Sequence, residues 1–161
     1  MNDKYSLNIP NSNLDQSELS SNYWFSSFTE VDGHFGVRYV EFKPKSKDKW
    51  SVSQSIRIWF RLDQRAYDHS VSLSLSRPIM EKIALFLQCN LLTYKLKRTK
   101  EPSSTMSEVL SVSVSSIDKL KPLINYFNNF PLLGIKGKEF KDLEIIFLII
   151  LSSLRTLLLL R

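Results

Sequence analysis

The chain has 161 residues, and its 22 Lys and Arg outnumber its 16 Asp and Glu, which gives a net charge of +6. A chain of this length can form one domain with a hydrophobic core. The excess of basic residues favours a polyanionic partner, with nucleic acid preferred over an anionic membrane. One cysteine, Cys89, excludes an intrachain disulfide and a cysteine metal cluster, and two histidines cannot form a histidine-rich metal site.

The N-terminal half is predicted to hold one helix and two strands. Residues 1–13 are polar and are expected to precede the domain as a lead-in. A helix is predicted from Leu14 to Val31, followed by strand composition in "HFGVRYVEFKP" (34–44). The segment "WSVSQSIRIWFRLDQR" (50–65) alternates with a period of two, which is typical of a half-buried strand.

That alternation gives the second strand two different faces. One face is apolar, with Ile56, Ile58, Phe60 and Leu62, and the other carries Arg57, Trp59, Arg61 and Asp63. Two interpretations of the charged face stay open: it is the solvated side of a half-buried sheet, or it contacts a polyanion.

The remainder of the chain predicts helices and strands in alternation. The predicted segments are a helix at 78–90, strands at 91–100 and 109–116, a helix at 117–130 and a last helix that begins in 139–150, with "VSLSLS" (71–76) treated as loop. The order of helix, two strands, helix, two strands, helix, helix predicts an α+β domain. Its four-stranded antiparallel sheet should be covered by helices on one face.

The C-terminal segment "IIFLIILSSLRTLLLL" (145–160) is almost entirely apolar. It is shorter than the ~20 residues that a spanning helix needs, and it carries a charge near its middle. A buried or dimer-forming terminal helix, a poorly folded segment and a membrane tail are all compatible with it. We expect the domain to span residues 14–147 and residues 148–161 to be an atypical tail.

The stretch "FSSFTEVDG" (25–33) occupies the frame of the nine-residue motif that names the LAGLIDADG homing endonucleases and intron maturases. The resemblance covers residues 20–147, and its further segments follow in the family's order: "FRLDQRAYD" (60–68), "PIMEKIALFLQC" (78–89), 110–136 and 139–147. The segments look like the C-terminal repeat of a two-motif member. The resemblance implies the family's αββαββα half and a saddle-shaped sheet that lies in the DNA major groove.

The resemblance also implies an activity, which is Mg²⁺-dependent, sequence-specific double-strand DNA cleavage by a mitochondrial, intron-encoded protein. Asp32 and Gly33 would lie at the metal, and Glu30 would have a structural role. The glycine would let the chain leave the helix without a Cβ penalty. An RNA-binding maturase that assists group I intron splicing, and an inactive remnant, are the alternatives.

Other site residues follow from the same resemblance. Gln64 and Lys121 match catalytic positions, with Lys119 as an alternative to Lys121, although strict alternation puts Gln64 on the face opposite the arginines. The implied nucleic-acid-binding residues are Arg38, Arg57, Arg61, Arg65, Lys95 and Lys97.

A single motif supplies one acid of a two-acid site. The chain therefore either forms a C₂ homodimer or is one half of a longer two-motif protein. Ser26 and Ser27 stand where the family has small residues between two closely packed motif helices, and Phe25 replaces the usual leucine.

Overall fold

The computed structural model describes residues 17–40, 55–66, 76–97 and 106–159. The predicted order of elements and the α+β class are confirmed in these residues. After a short 3₁₀ turn (Leu19–Ser21) come α1 (Trp24–Asp32), β1 (Gly33–Val40), β2 (Ser55–Arg65), α2 (Ser76–Phe86), β3 (Leu92–Lys97), β4 (Met106–Val114), α3 (Ile117–Asn129) and α4 (Ile135–Leu159).

The first helix is shorter than the sequence predicted, because it begins at Trp24 rather than at Leu14. Asn22 has an extended backbone, and its side-chain oxygen accepts a hydrogen bond from the Trp24 N–H at 2.9 Å. Asparagine favours such local bonds over continued helix, so the chain turns at this residue. The last helix begins at Ile135, earlier than the predicted segment. Residues 71–75 of the segment treated as loop lie outside the described residues.

The four strands form one antiparallel sheet in the order β1-β2-β4-β3. Residues that pair directly across an antiparallel ladder share a face of the sheet. Ile58, Phe60 and Leu62 of β2 are buried, so their face is the one that the helices cover. The residues between them in sequence form the opposite face, which we call the open face.

The core is centred on the ring of Phe127 in α3. Its centroid lies 5.6 Å from that of Phe25, 6.5 Å from Phe60 and 5.2 Å from Phe140. These rings come from α1, β2 and α4, so Phe127 joins three elements that are distant in sequence. Aromatic rings of this size contribute much of a core's buried apolar area.

The fourth helix, α4, extends for 25 residues. Phe140, Leu143 and Phe147 are buried against the sheet, whereas Leu148 and Ile149 are exposed. None of the helices in the described part of the chain has the length and apolar character needed to cross a membrane.

Glu30 fixes the N-terminus of α4 to the end of α1. One oxygen of its carboxylate accepts a hydrogen bond from the backbone N–H of Gly134, at 2.7 Å, one residue before α4 begins. The first N–H groups of a helix have no partner within the helix, and its N-terminus favours negative charge. Glu30 therefore acts as a capping residue for another helix.

Replacement of Phe127 by alanine should lower the free energy of unfolding by about 3–5 kcal/mol, because it removes a ring that three other elements contact. Leu85→Ala is the control, since Leu85 is 79% exposed, and its cost should stay within about 0.5 kcal/mol. Urea unfolding followed by circular dichroism measures both. Similar losses in the two variants would contradict this assignment of the core.

Replacement of Glu30 by alanine should lower the free energy of unfolding by about 1 kcal/mol, because the Gly134 N–H loses its acceptor. Glu30→Gln keeps an acceptor oxygen and should retain most of that stability. The same unfolding experiment compares the two variants. A glutamine variant as unstable as the alanine variant would contradict the capping role.

Candidate functional site

One side of α1 is anchored in its own domain. The Phe25 ring is buried, and the Ser26 hydroxyl donates a hydrogen bond of 2.5 Å to the Phe130 carbonyl. The Tyr126 hydroxyl accepts from the Ser26 N–H at 3.1 Å and donates to the Asn22 carbonyl at 2.7 Å. Ser26 therefore does not lie between two motif helices as the resemblance implied, because its side chain faces inward, as does that of Phe25.

The other side of α1 presents a stripe of exposed and half-buried residues that we call the α1 stripe. It consists of Trp24, Ser27, Phe28 and Val31, at the spacing that places residues on one side of a helix. Ser27 and Val31 are exposed, and the Ser27 hydroxyl donates to the Tyr23 carbonyl at 3.1 Å. Of the two serines, only Ser27 lies where a partner helix can pack, and its hydroxyl already has an acceptor in its own helix.

Gly33 follows α1 directly and begins β1. Its backbone is extended, with φ −72° and ψ 146°, a conformation that any residue adopts. A Cβ at this position would lie 2.4 Å from Thr29 Cγ2 and 2.6 Å from the Thr29 carbonyl oxygen. Glycine is needed here because the helix and strand pack so closely, and not because the backbone takes a left-handed conformation.

Asp32 is the last residue of α1, and Gln64 of β2 lies beside it. The Gln64 Nε2 group donates a hydrogen bond of 2.5 Å to Oδ2 of Asp32. Gln64 lies on the face opposite the arginines, as the alternation predicted, and this is also the side on which α1 packs. The alternation places Gln64 away from the arginines but on the face that contacts α1, and this brings Gln64 to Asp32.

The Asp32 carboxylate occupies a position that a helix disfavours. Backbone dipoles give the C-terminus of a helix partial negative charge, so an acid there is stabilised by a nearby cation. Carboxylate oxygens are ligands for hard divalent cations, and Gln64 takes up only one of the two oxygens. Within the described residues, no three His, Cys, Asp or Glu side chains come together to hold a metal. The Asp32 carboxylate can supply one ligand to a divalent cation, and the described residues around it do not supply a full set.

Lys121 makes a different contact from the one that the resemblance implies. Its Nζ atom lies 2.8 Å from Oδ1 of Asp118, in the first turn of α3. No contact in the described part of the chain joins Lys121 to Asp32 or Gln64. Its catalytic role stays a prediction that this geometry does not favour.

Three of the predicted arginines lie exposed on the open face. Arg38 of β1 pairs directly with Arg57 of β2, and both side chains are exposed, as is that of Arg65 at the end of β2. Like charges directly opposite each other destabilise a sheet. Among the described residues, no acid forms an ion pair with Arg38 or Arg57. This part of the face therefore carries uncompensated positive charge.

Lys95 does not share the face of those arginines. In the pairing of β3 with β4, Lys95 lies opposite Glu108 and Thr93 lies opposite Leu110. Leu110 is a core residue, so Thr93 and Lys95, two residues apart, lie on the helix-covered face. The side chain of Lys97 lies outside the described part of the structure. The cross-strand register sets this face, because β4 lies between β2 and β3. The nucleic-acid-binding role of Lys95 and Lys97 stays a prediction.

Arg61 belongs to a network that the sequence analysis did not identify. Its Nε donates to Oδ1 of Asp63 at 2.9 Å, and its Nη2 donates to the Tyr94 hydroxyl at 2.8 Å. The Tyr94 hydroxyl in turn donates to Oδ2 of Asp63 at 3.1 Å. Asp63 and Tyr94 come from strands that are not adjacent, so only the cross-strand register could have revealed the contact.

Both charges in this network are stabilised. The hydrogen bond to Asp63 is the main reason that the pKa of Arg61 lies above its usual value. Burial by itself would raise the pKa of the Asp63 carboxyl group. Hydrogen bonds from Arg61, Ser111 and Tyr94 outweigh burial and hold this pKa below its usual value.

Solved structures with the same fold include three endonucleases. A homing endonuclease, I-TnaI, has a TM-score of 0.53 and 16% identity, over 81% of this chain and 73% of its own. The LAGLIDADG homing endonuclease I-GzeII, in complex with its DNA target, has a TM-score of 0.54 and 20% identity, over 82% of this chain and 37% of its own. The LAGLIDADG meganuclease I-AabMI, bound to uncleaved DNA, has a TM-score of 0.52 and 18% identity, over 82% of this chain and 38% of its own.

The likeness to these structures establishes the fold, and this chain spans well under half of the length of the two DNA-bound proteins. The match at the level of sequence covers residues 25–147, from the motif helix to the middle of α4, and its description is LAGLIDADG endonuclease. With the motif, the sheet and Asp32 at the end of α1, this match shows that the chain belongs to the LAGLIDADG endonuclease family.

Proposed function

We propose that this chain is one half of a sequence-specific double-strand DNA endonuclease that uses a divalent metal ion. The observation that carries the proposal is Asp32, a carboxylate at the C-terminal end of α1 where the helix dipole disfavours negative charge. A bound cation offsets this cost, and so the position suits a metal ligand better than a structural acid.

Asp32 would hold the ion through a carboxylate oxygen, and Mg²⁺ is the hard cation that best suits such a ligand. When bound, the ion supplies Lewis-acid polarisation of the phosphate and a more acidic attacking water. Gln64 fixes the orientation of Asp32 through Nε2. Its side-chain oxygen is left to accept a hydrogen bond from water.

Double-stranded DNA is the substrate that the open face suits. Arg38 and Arg57 face each other without an acid, and a phosphate backbone would relieve their repulsion. A strand surface can enter the major groove, where base edges are distinguishable. Two of the similar structures are bound to DNA, which supports the same partner here.

The α1 stripe suits a second motif helix. It is apolar apart from Ser27, and it ends one residue before Asp32. A partner packed on it would bring a second acid close to the first and complete the metal site. The partner is either a second copy of this chain, which gives C₂ symmetry, or another LAGLIDADG repeat.

Asp32→Asn should reduce cleavage of a randomised duplex DNA library in Mg²⁺ by about 100-fold or more, because a metal ligand is lost. Sequencing of cut ends measures the activity. The free energy of unfolding should hold or rise by about 0.3–1 kcal/mol, since a negative charge leaves the helix C-terminus. Equal cleavage by the wild type and the variant would contradict the proposal. No cleavage by either would contradict the homodimer and would leave another LAGLIDADG repeat as the partner.

Binding to nucleic acid separates the nuclease from the maturase alternative. Asp32→Asn should bind duplex DNA as tightly as the wild type, because its contacts to phosphate come from the open face. Filter binding at one salt concentration compares duplex DNA with group I intron RNA and with unrelated RNA, since non-specific electrostatic binding would not separate these. A strong preference for the intron RNA over DNA would favour the maturase.

Val31→Glu should shift the chain from dimer to monomer, because it places a charge at the C-terminal end of the apolar stripe, beside Asp32. Val31 is 77% exposed and Leu85 of α2 is 79% exposed, so Leu85→Glu is a matched control that should not change the assembly. Sedimentation velocity over a range of concentrations measures both. A wild-type monomer at every concentration would argue against self-association and would favour a second repeat as the partner.

A further inference from the structure

The open face holds its arginines in two different states. Arg38 and Arg57 are exposed and have no ion pair within the described residues, so their side chains can follow a phosphate backbone. Arg61 is 43% exposed, yet its guanidinium group is held by Asp63 and Tyr94. The Arg61 side chain is therefore both accessible and fixed in orientation, in contrast to those of Arg38 and Arg57, which are unpaired in the described part of the chain.

Asp63 and Tyr94 use only part of the donor capacity of Arg61. A guanidinium group has five N–H donors, one on Nε and two on each Nη. Nε and one N–H of Nη2 are engaged, which leaves both N–H groups of Nη1 and one of Nη2. Two of the remaining donors are enough for a bidentate contact with two acceptors on one base edge.

Each acceptor in this network already receives a hydrogen bond from within it. The Tyr94 hydroxyl accepts from Arg61 and donates to Asp63, and each oxygen of Asp63 accepts a hydrogen bond. The cluster therefore presents the remaining Arg61 donors to a ligand, while both oxygens of Asp63 are engaged within the network. In the major groove, the base edge with two adjacent acceptors is that of guanine, with O6 and N7.

We propose that Arg61 reads a guanine in the major groove of the DNA, and that Asp63 and Tyr94 are positioning residues that fix its guanidinium group for this contact. The proposal rests on the DNA-binding part of the proposed function and not on cleavage. It makes Arg61 a determinant of specificity, while Arg38 and Arg57 provide affinity that is independent of sequence.

The register also predicts where the guanine lies. Arg61 pairs with His34, two residues after Asp32, whereas Arg57 pairs with Arg38, farther along β1. At ~3.3 Å per residue along a strand, Arg57 lies about 13 Å farther from the end of α1 than Arg61 does. The guanine should therefore belong to the inner part of the half-site, nearer to the metal.

The test is a selection from a randomised duplex DNA library by the full chain without Mg²⁺, so that bound DNA stays intact. The wild type should enrich a guanine at one inner position, and its replacement by adenine in the enriched duplex should weaken binding by about 5- to 100-fold. Arg61→Lys keeps the charge but lacks the planar fork, and it should bind both duplexes almost equally.

Two further variants separate base reading from general effects. Tyr94→Phe removes one hydroxyl that orients Arg61 and should give a preference for guanine between those of the wild type and Arg61→Lys. Arg57→Lys should weaken binding to both duplexes and keep the full preference. Thermal unfolding of every variant checks that the fold is retained, since all three substitutions are conservative.

An unchanged preference for guanine in Arg61→Lys would overturn the inference, and so would enrichment without an inner guanine. A uniform loss of affinity in Arg61→Lys would make Arg61 another phosphate contact and would also overturn it. If the wild type enriches no sequence, the inference and the proposed DNA recognition both fail. If the wild type selects the guanine but never cuts DNA, the inference stands and only the nuclease activity fails.

Discussion

The attachment of α1 to α3 is the constraint on which the candidate site depends. Phe25 packs against Phe127, and the Tyr126 hydroxyl bridges the Asn22 carbonyl and the Ser26 N–H at the start of the helix. These contacts fix the rotation of α1 about its axis. Because of that rotation, Asp32 meets Gln64 on one side, and the α1 stripe stays exposed on the other.

The same rotation separates the two acids of the motif. Residues two apart on a helix point about 200° away from each other, so Glu30 and Asp32 cannot serve one site. Glu30 caps α4 through Gly134, and Asp32 lies beside Gln64. Glu30 thus stabilises the fold, whereas Asp32 occupies a place where negative charge costs stability until a cation compensates it.

The two faces of the sheet differ in burial and in charge. The covered face supplies the core, and the open face carries like charges that a protein selected for stability alone would avoid. Asp63 compensates Arg61 but no described acid compensates the pair of Arg38 and Arg57. On the open face, Arg61 is thus held by partners, whereas Arg38 and Arg57 are exposed and have no ion pair within the described residues.

Periodicity in the sequence determined the order of the elements, the two faces of β2 and the side on which Gln64 lies, because alternation and helical spacing are local properties. The motif pointed to Asp32 by resemblance. The sequence alone did not determine the inward position of Ser26, the face of Lys95 or the contact of Arg61 with Tyr94. Alternation along one strand determines which of its residues share a face. What that face contacts depends on strand register and helix rotation, and both depend on packing between distant segments.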